Sequence, residues 1–133
     1  MILGLGTDLV NIDRIEAALE RHGGRFLARS FTPAEIALAD SRPAMRAATL
    51  AKRWAAKEAC AKALGTGIGR GFGLIDIEVL RDDLGAPSLR LHGGAAQRLA
   101  QITPPGHTSR LHLSLTDDLP WASATVIIES LPL

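Results

Sequence analysis

The sequence has one cysteine, Cys60, so no intrachain disulfide can form and a disulfide-built extracellular fold is excluded. It also has no apolar run near the roughly 20 residues that cross a bilayer, which excludes a membrane-spanning helix. The opening Met1-Ile2-Leu3-Gly4-Leu5-Gly6 lacks the basic region and long apolar stretch of a secretory signal; with the lone thiol, this points to a reducing cytoplasm. His22, His92, His107 and His112 have no zinc spacing, and Cys60 has no partner cysteine for a metal. Repeats, low-complexity segments and linkers are missing too. Acidic side chains are absent between Glu20 and Glu35, where Arg21, Arg25 and Arg29 recur every four residues beside His22. Residues 1–62 carry ten Lys or Arg against seven Asp or Glu, and residues 63–133 five against seven, so a net charge of only +1 hides a basic front half. That basic stretch is either a solvated face or a surface for an acidic partner or a phosphate.

What remains is an ordinary globular composition, 47% hydrophobic and 22% charged over 133 residues, which fits a single domain. Ile2 to Asp8 is apolar and brief and predicts a strand. Asn11 then caps a helix whose apolar positions Ile12, Ile15 and Leu19 keep helical spacing, with Gly23-Gly24 as the stop. Arg14 and Arg21 share another face of it. Thr32-Pro33-Ala34-Glu35 is a capping box with proline at the first helical position, so a short helix runs to about Asp40. Nothing interrupts the chain from Ala44 to Leu64, which predicts a central helix about 33 Å long. Beyond it, Gly65 to Gly73 holds five of the thirteen glycines in nine residues, too many for regular helix. Ile75–Leu80 and Ser88–His92 read as a hairpin, Ala95–Ile102 as a short helix, and Leu111–Thr116 with Ala122–Glu129 as two strands joined around Pro120. The sum is α+β, a mostly antiparallel sheet with a long central helix.

Lys57 falls inside the apolar stripe of that helix, among Leu50, Trp54, Ala61 and Leu64. It either snorkels to solvent or joins Glu58 and Lys62 in a charged group where the helix meets the glycine loop. Glu58 and Lys62, four apart, are either an exposed ion pair or part of a site. The loop's backbone N–H groups could approach an anion, although the loop follows a helix, so the helix dipole opposes one there. Asp8 ends its strand as a helix cap or as a ligand. With Glu58 it offers the hard oxygen donors that suit Mg²⁺.

Three segments resemble the holo-[acyl-carrier-protein] synthases, the small bacterial 4′-phosphopantetheinyl transferases. They are Ile2 to Val10, Phe31-Thr32-Pro33-Ala34-Glu35, and the long run from Arg53 through Lys57-Glu58 and Lys62 to Gly69. The resemblance implies that family's fold and transfer of phosphopantetheine from coenzyme A to a serine of apo acyl carrier protein, for fatty acid biosynthesis. It implies Mg²⁺ on Asp8 and Glu58, catalysis by Asp8, Glu58 and Lys62, and coenzyme binding by Arg53, Lys57, Lys62, Gly65 and Gly67. It further implies a homotrimer with active sites between subunits, and a carrier-protein surface at Arg14, Arg21, Arg25 and Phe26. Asp117 departs from the pattern, because histidine is common at that position and a donor has become an acceptor. A metal-dependent phosphohydrolase using the same acids, or a module that binds an acidic protein or RNA through Arg21 to Arg29, are the rival readings.

Overall fold

The computed structural model describes residues 1–133. The first strand, β1 (Ile2–Asn11), passes directly into α1 (Ile12–His22), whose first turn is capped by the Asn11 side chain accepting from the Asp13 N–H at 2.9 Å. Gly23 ends α1 with φ of 50°, as its spacing predicts. Gly24 does not continue as loop, however, but opens α2 (Gly24–Ser30). This seven-residue helix has no local cap or apolar period to reveal it, and it forms because Phe26 packs into the core. α3 (Pro33–Asp40) starts at the capping box, with both reciprocal bonds between Thr32 and Glu35 made. A 3₁₀ turn at Pro43–Met45 takes the place of the first predicted turn of the central helix, so α4 spans Arg46–Ala63, 18 residues or about 27 Å.

β2 (Ile77–Arg81) and β3 (Pro87–Leu91) form a two-stranded hairpin, α5 (Gly93–Ile102) follows, and β4 (His107–Asp118) and β5 (Trp121–Pro132) complete a three-stranded antiparallel sheet in the order β1-β5-β4. Ile75 lies in a 3₁₀ turn, Leu74–Asp76, ahead of the hairpin. The α+β expectation, with an antiparallel sheet on a long helix, therefore describes the molecule.

Strand alternation puts Ala122, Ala124, Val126, Ile128 and Ser130 of β5 on the buried face. Their cross-strand partners on that face are Gly4, Gly6, Asp8 and Val10 of β1, and Leu111, Leu113, Leu115 and Asp117 of β4. α4 lies across this face on its alanines. A Cβ at Gly4 would stand 1.9 Å from the Ala63 carbonyl oxygen, and one at Gly6 1.8 Å from that of Ala59. The two glycines are what let strand backbone touch helix backbone.

On its far side α4 buries a charge. Lys57 has no solvent exposure, and its ammonium donates to Glu35 Oε1 at 2.8 Å, to the Leu74 carbonyl at 3.1 Å and to the Ile77 carbonyl. Glu35 also accepts from the Thr32 and Val79 N–H groups. Every donor and acceptor of the pair is used, which is the condition for burying two charges. The pair ties α3, α4 and β2 together.

Candidate active site

Gly4 and Gly6 lead along β1 to the next inward residue, Asp8, which arrives beside the turn of α4 carrying Glu58 and Lys62. The Lys62 ammonium donates to Asp8 Oδ1 at 3.2 Å and to the Thr7 carbonyl at 2.8 Å. Glu58 is half-buried, and its carboxyl is pushed above the ordinary glutamate range, first by burial and then by the negative charge of Asp8, with Lys62 opposing. Two carboxylates from elements distant in sequence thus share one field. Holding both ionised costs free energy that a cation among them removes.

Several amides of the glycine loop are already engaged within the chain. Gly65, Gly67, Gly69 and Gly71 all have φ between 72° and 96°, a region other residues rarely enter. The Gly65 N–H donates to Lys62, those of Thr66 and Gly67 to Ala61, and that of Gly69 to Phe72. The N–H groups of Gly65 and Gly67, both expected to contact the coenzyme, satisfy the orphan carbonyls at the end of α4. Arg98 adds a bond from Nε to the Leu64 carbonyl at 2.9 Å, so α4 stops cleanly just after Lys62. Lys57, expected to contact the coenzyme, is fully buried and bonded to Glu35. It lies in the apolar stripe because its partner is Glu35, and burial pushes its ammonium down in spite of that partner.

A second feature was not legible in the sequence. Arg42, Lys52, Arg53 and Arg81 line one cavity of about 320 Å³, with Pro87, Leu113 and Leu115 among its apolar walls. Four cations face it. The Arg53 side chain is buried and its Nε has no hydrogen-bond partner. Burial pushes its guanidinium down, Glu35 offsets this, and the neighbouring Arg81 and Arg42 charges add to it. Such a site is short of an anion. The lining cations come from a loop, a helix and a strand, so no spacing rule could group them, although Arg53 itself was marked.

On the opposite flank Arg14 and Arg21 line one shallow cleft, as their seven-residue spacing predicts, with Ala17, Ala18 and His22. Arg25 is exposed on α2. Phe26, placed on this surface by the resemblance, is buried instead: its ring packs edge-on to Phe31 at 5.8 Å and against Trp54 at 5.6 Å. It forms the floor of a small cleft that Arg14 rims.

A helix packed on an antiparallel sheet brings Asp8, Glu58 and Lys62 to their junction and lines a second cavity with cations, an arrangement suited to an enzyme that handles phosphate groups. The model of the 4′-phosphopantetheinyl transferase superfamily matches residues 4–116, and the chain belongs to that family. Its relatives there are holo-[acyl-carrier-protein] synthases. That of Sphingopyxis alaskensis is 59% identical over 131 residues, 98% of each chain. The crystal structure of the enzyme from Neisseria meningitidis is similar with a TM-score of 0.84 at 35% identity, covering 97% of this chain and 99% of that one. The one from Helicobacter pylori, solved in complex with coenzyme A, has a TM-score of 0.79 at 30% identity and covers 94% and 99%.

Proposed function

We propose that the chain transfers the 4′-phosphopantetheine group of coenzyme A to a serine hydroxyl of apo acyl carrier protein, and that Asp8, Glu58 and Lys62 carry the reaction. The convergence of Asp8 and Glu58, with Lys62 bonded to Asp8, is the observation that supports this most strongly. The serine oxygen attacks phosphorus, the bond to the bridging diphosphate oxygen breaks, and adenosine 3′,5′-bisphosphate departs with its electron pair. The serine proton needs an acceptor. Glu58, or a water it orients, takes it. Lys62 neutralises phosphate charge that grows as the bond breaks.

The site suits a divalent cation, since the charge of Asp8 raises the Glu58 carboxyl and a positive charge between them would relieve that cost. Asp8 and Glu58 would hold Mg²⁺, which would supply charge neutralisation for the diphosphate.

The four-cation cavity suits the phosphates of the nucleotide half of coenzyme A, with Arg53 on its floor and the leucines of β4 beside the base. Arg14, Arg21 and Arg25, with the cleft floored by Phe26, suit the acidic carrier protein, because opposite charge speeds encounter and sets orientation. The outward face of the three-stranded sheet leaves Leu5 64%, Leu9 61% and Trp121 47% exposed. Two further copies packed on this face would cover them and bring sites to subunit boundaries, the homotrimer of our reading. No helix is long and apolar enough to cross a membrane. The setting we propose is the cytoplasm, where thiols such as Cys60 stay reduced.

The test is intact-mass measurement of an apo carrier protein after incubation with the enzyme, coenzyme A and Mg²⁺. A gain of one phosphopantetheine on the carrier supports the reading. Cleaved coenzyme A with an unmodified carrier would instead reveal a phosphohydrolase, and no change in either would reveal a binding module.

A further inference from the structure

Asp117 is the residue at which the chain departs from the resemblance, and the structure gives it a partner. It sits near the end of β4, opposite Ala122 and on the same inward row as Leu113 and Leu115, which wall the four-cation cavity. Its Oδ1 stands 3.0 Å from the Lys52 ammonium, with both side chains about three-quarters covered. Lys52 is itself one of the four cations. It lies one residue before Arg53 on α4, and Arg42 and Arg81 complete the ring.

We propose that Asp117 is a positioning residue that holds Lys52 at the cavity wall and so sets the enzyme's preference for a donor bearing a 3′-phosphate. This rests on the reading above that the cavity takes the nucleotide half of coenzyme A. Four like charges around one cavity repel one another. Lysine is a compact, strongly hydrated charge on a flexible stem, and three arginines beside it drive it toward solvent. Asp117 is the one carboxylate paired with any of these four cations. Without it, the electrostatic gradient and the freedom of the stem both favour an ammonium turned away from the cavity. Loss of Asp117 also raises the positive potential at large. That general rise acts on the diphosphate as well as on the 3′-phosphate, so the ratio between two donors isolates position from potential.

The experiment compares kcat/KM for coenzyme A with kcat/KM for 3′-dephospho-coenzyme A in the full-length enzyme. The wild type prefers coenzyme A. Lys52→Met cuts that ratio roughly tenfold, the scale of one charge-assisted hydrogen bond. Asp117→Asn cuts it about threefold, through KM for coenzyme A rather than kcat; Asp117→Glu restores most of it. The double variant Lys52→Met/Asp117→Asn is no worse than Lys52→Met alone, because Asp117 acts through Lys52. Asp117→Asn with the wild-type ratio, or with kcat lowered equally for both donors, would overturn the proposal while the cavity reading stands. A wild type indifferent to the 3′-phosphate, or a Lys52→Met that keeps the ratio, would overturn the cavity reading and this proposal with it.

Discussion

Glu58 feels three influences of known sign: burial and Asp8 raise its carboxyl, and Lys62 lowers it. Carboxyl-resolved NMR titration of the metal-free protein should therefore find Asp8→Asn moving Glu58 down toward the ordinary range and Lys62→Met moving it further up. Opposite shifts would mean that the two groups do not share its field. The same raised carboxyl has a stability consequence. The folded protein holds this proton more tightly than the unfolded chain, so the contribution is fully present at low pH and is lost as pH rises through the window above the ordinary glutamate value. Above that window the ionised carboxyl is a cost to the fold, and Glu58→Gln should unfold at a slightly higher temperature than wild type while losing activity. At this scale Asp8, Glu58 and Lys62 were legible because hard oxygen donors and nearby lysines have chemistry readable by type. Lys57 was legible only as an anomaly, since Glu35, which explains it, is 22 positions away in the chain. Asp117 was legible as a departure, but Lys52 could be recognised as its partner only from the fold.

The element that sets the site is the contact of β1 with α4 at bare backbone. Gly6→Ala places a Cβ 1.8 Å from the Ala59 carbonyl oxygen, so strand and helix must part. The expected cost is about 1–3 kcal/mol in denaturant unfolding, with a larger loss of activity because Asp8 rides on the displaced strand. A Gly6→Ala enzyme of wild-type stability and rate would show that this contact does not place Asp8. Lys57→Met probes the other side of α4. It leaves Glu35 buried without its cation, and unfolding free energy should fall by about 3–5 kcal/mol. Elements with local chemistry, such as the capping box at Thr32 and the Asn11 cap, could be read directly from the sequence. α2 could not, because only tertiary packing of Phe26 makes it a helix, and the glycine loop was legible only as backbone freedom, since glycine content does not say where the N–H groups point.

At the scale of the whole molecule, the sheet offers one covered face and one open face. On the trimer reading, Leu9→Asp on the open face should shift sedimentation from trimer toward monomer and lower transfer with it, whereas a wild type that sediments as a monomer contradicts that reading. The basic flank should act through encounter: Arg21→Glu raises KM for the carrier severalfold, and added salt narrows its difference from wild type. The architecture could be read from periodicity, but the cation-lined cavity could not, since its walls come from α4, β2, β3, β4 and the loops between them.

The central claim is that Asp8 and Glu58 together make the site where phosphopantetheine is transferred. Its most direct test is single-turnover modification of apo carrier protein by Glu58→Gln, at saturating coenzyme A and Mg²⁺, with amide exchange confirming the native fold. The expected rate is lower by about 10³-fold or more. A folded Glu58→Gln enzyme that modifies the carrier at the wild-type rate would contradict it.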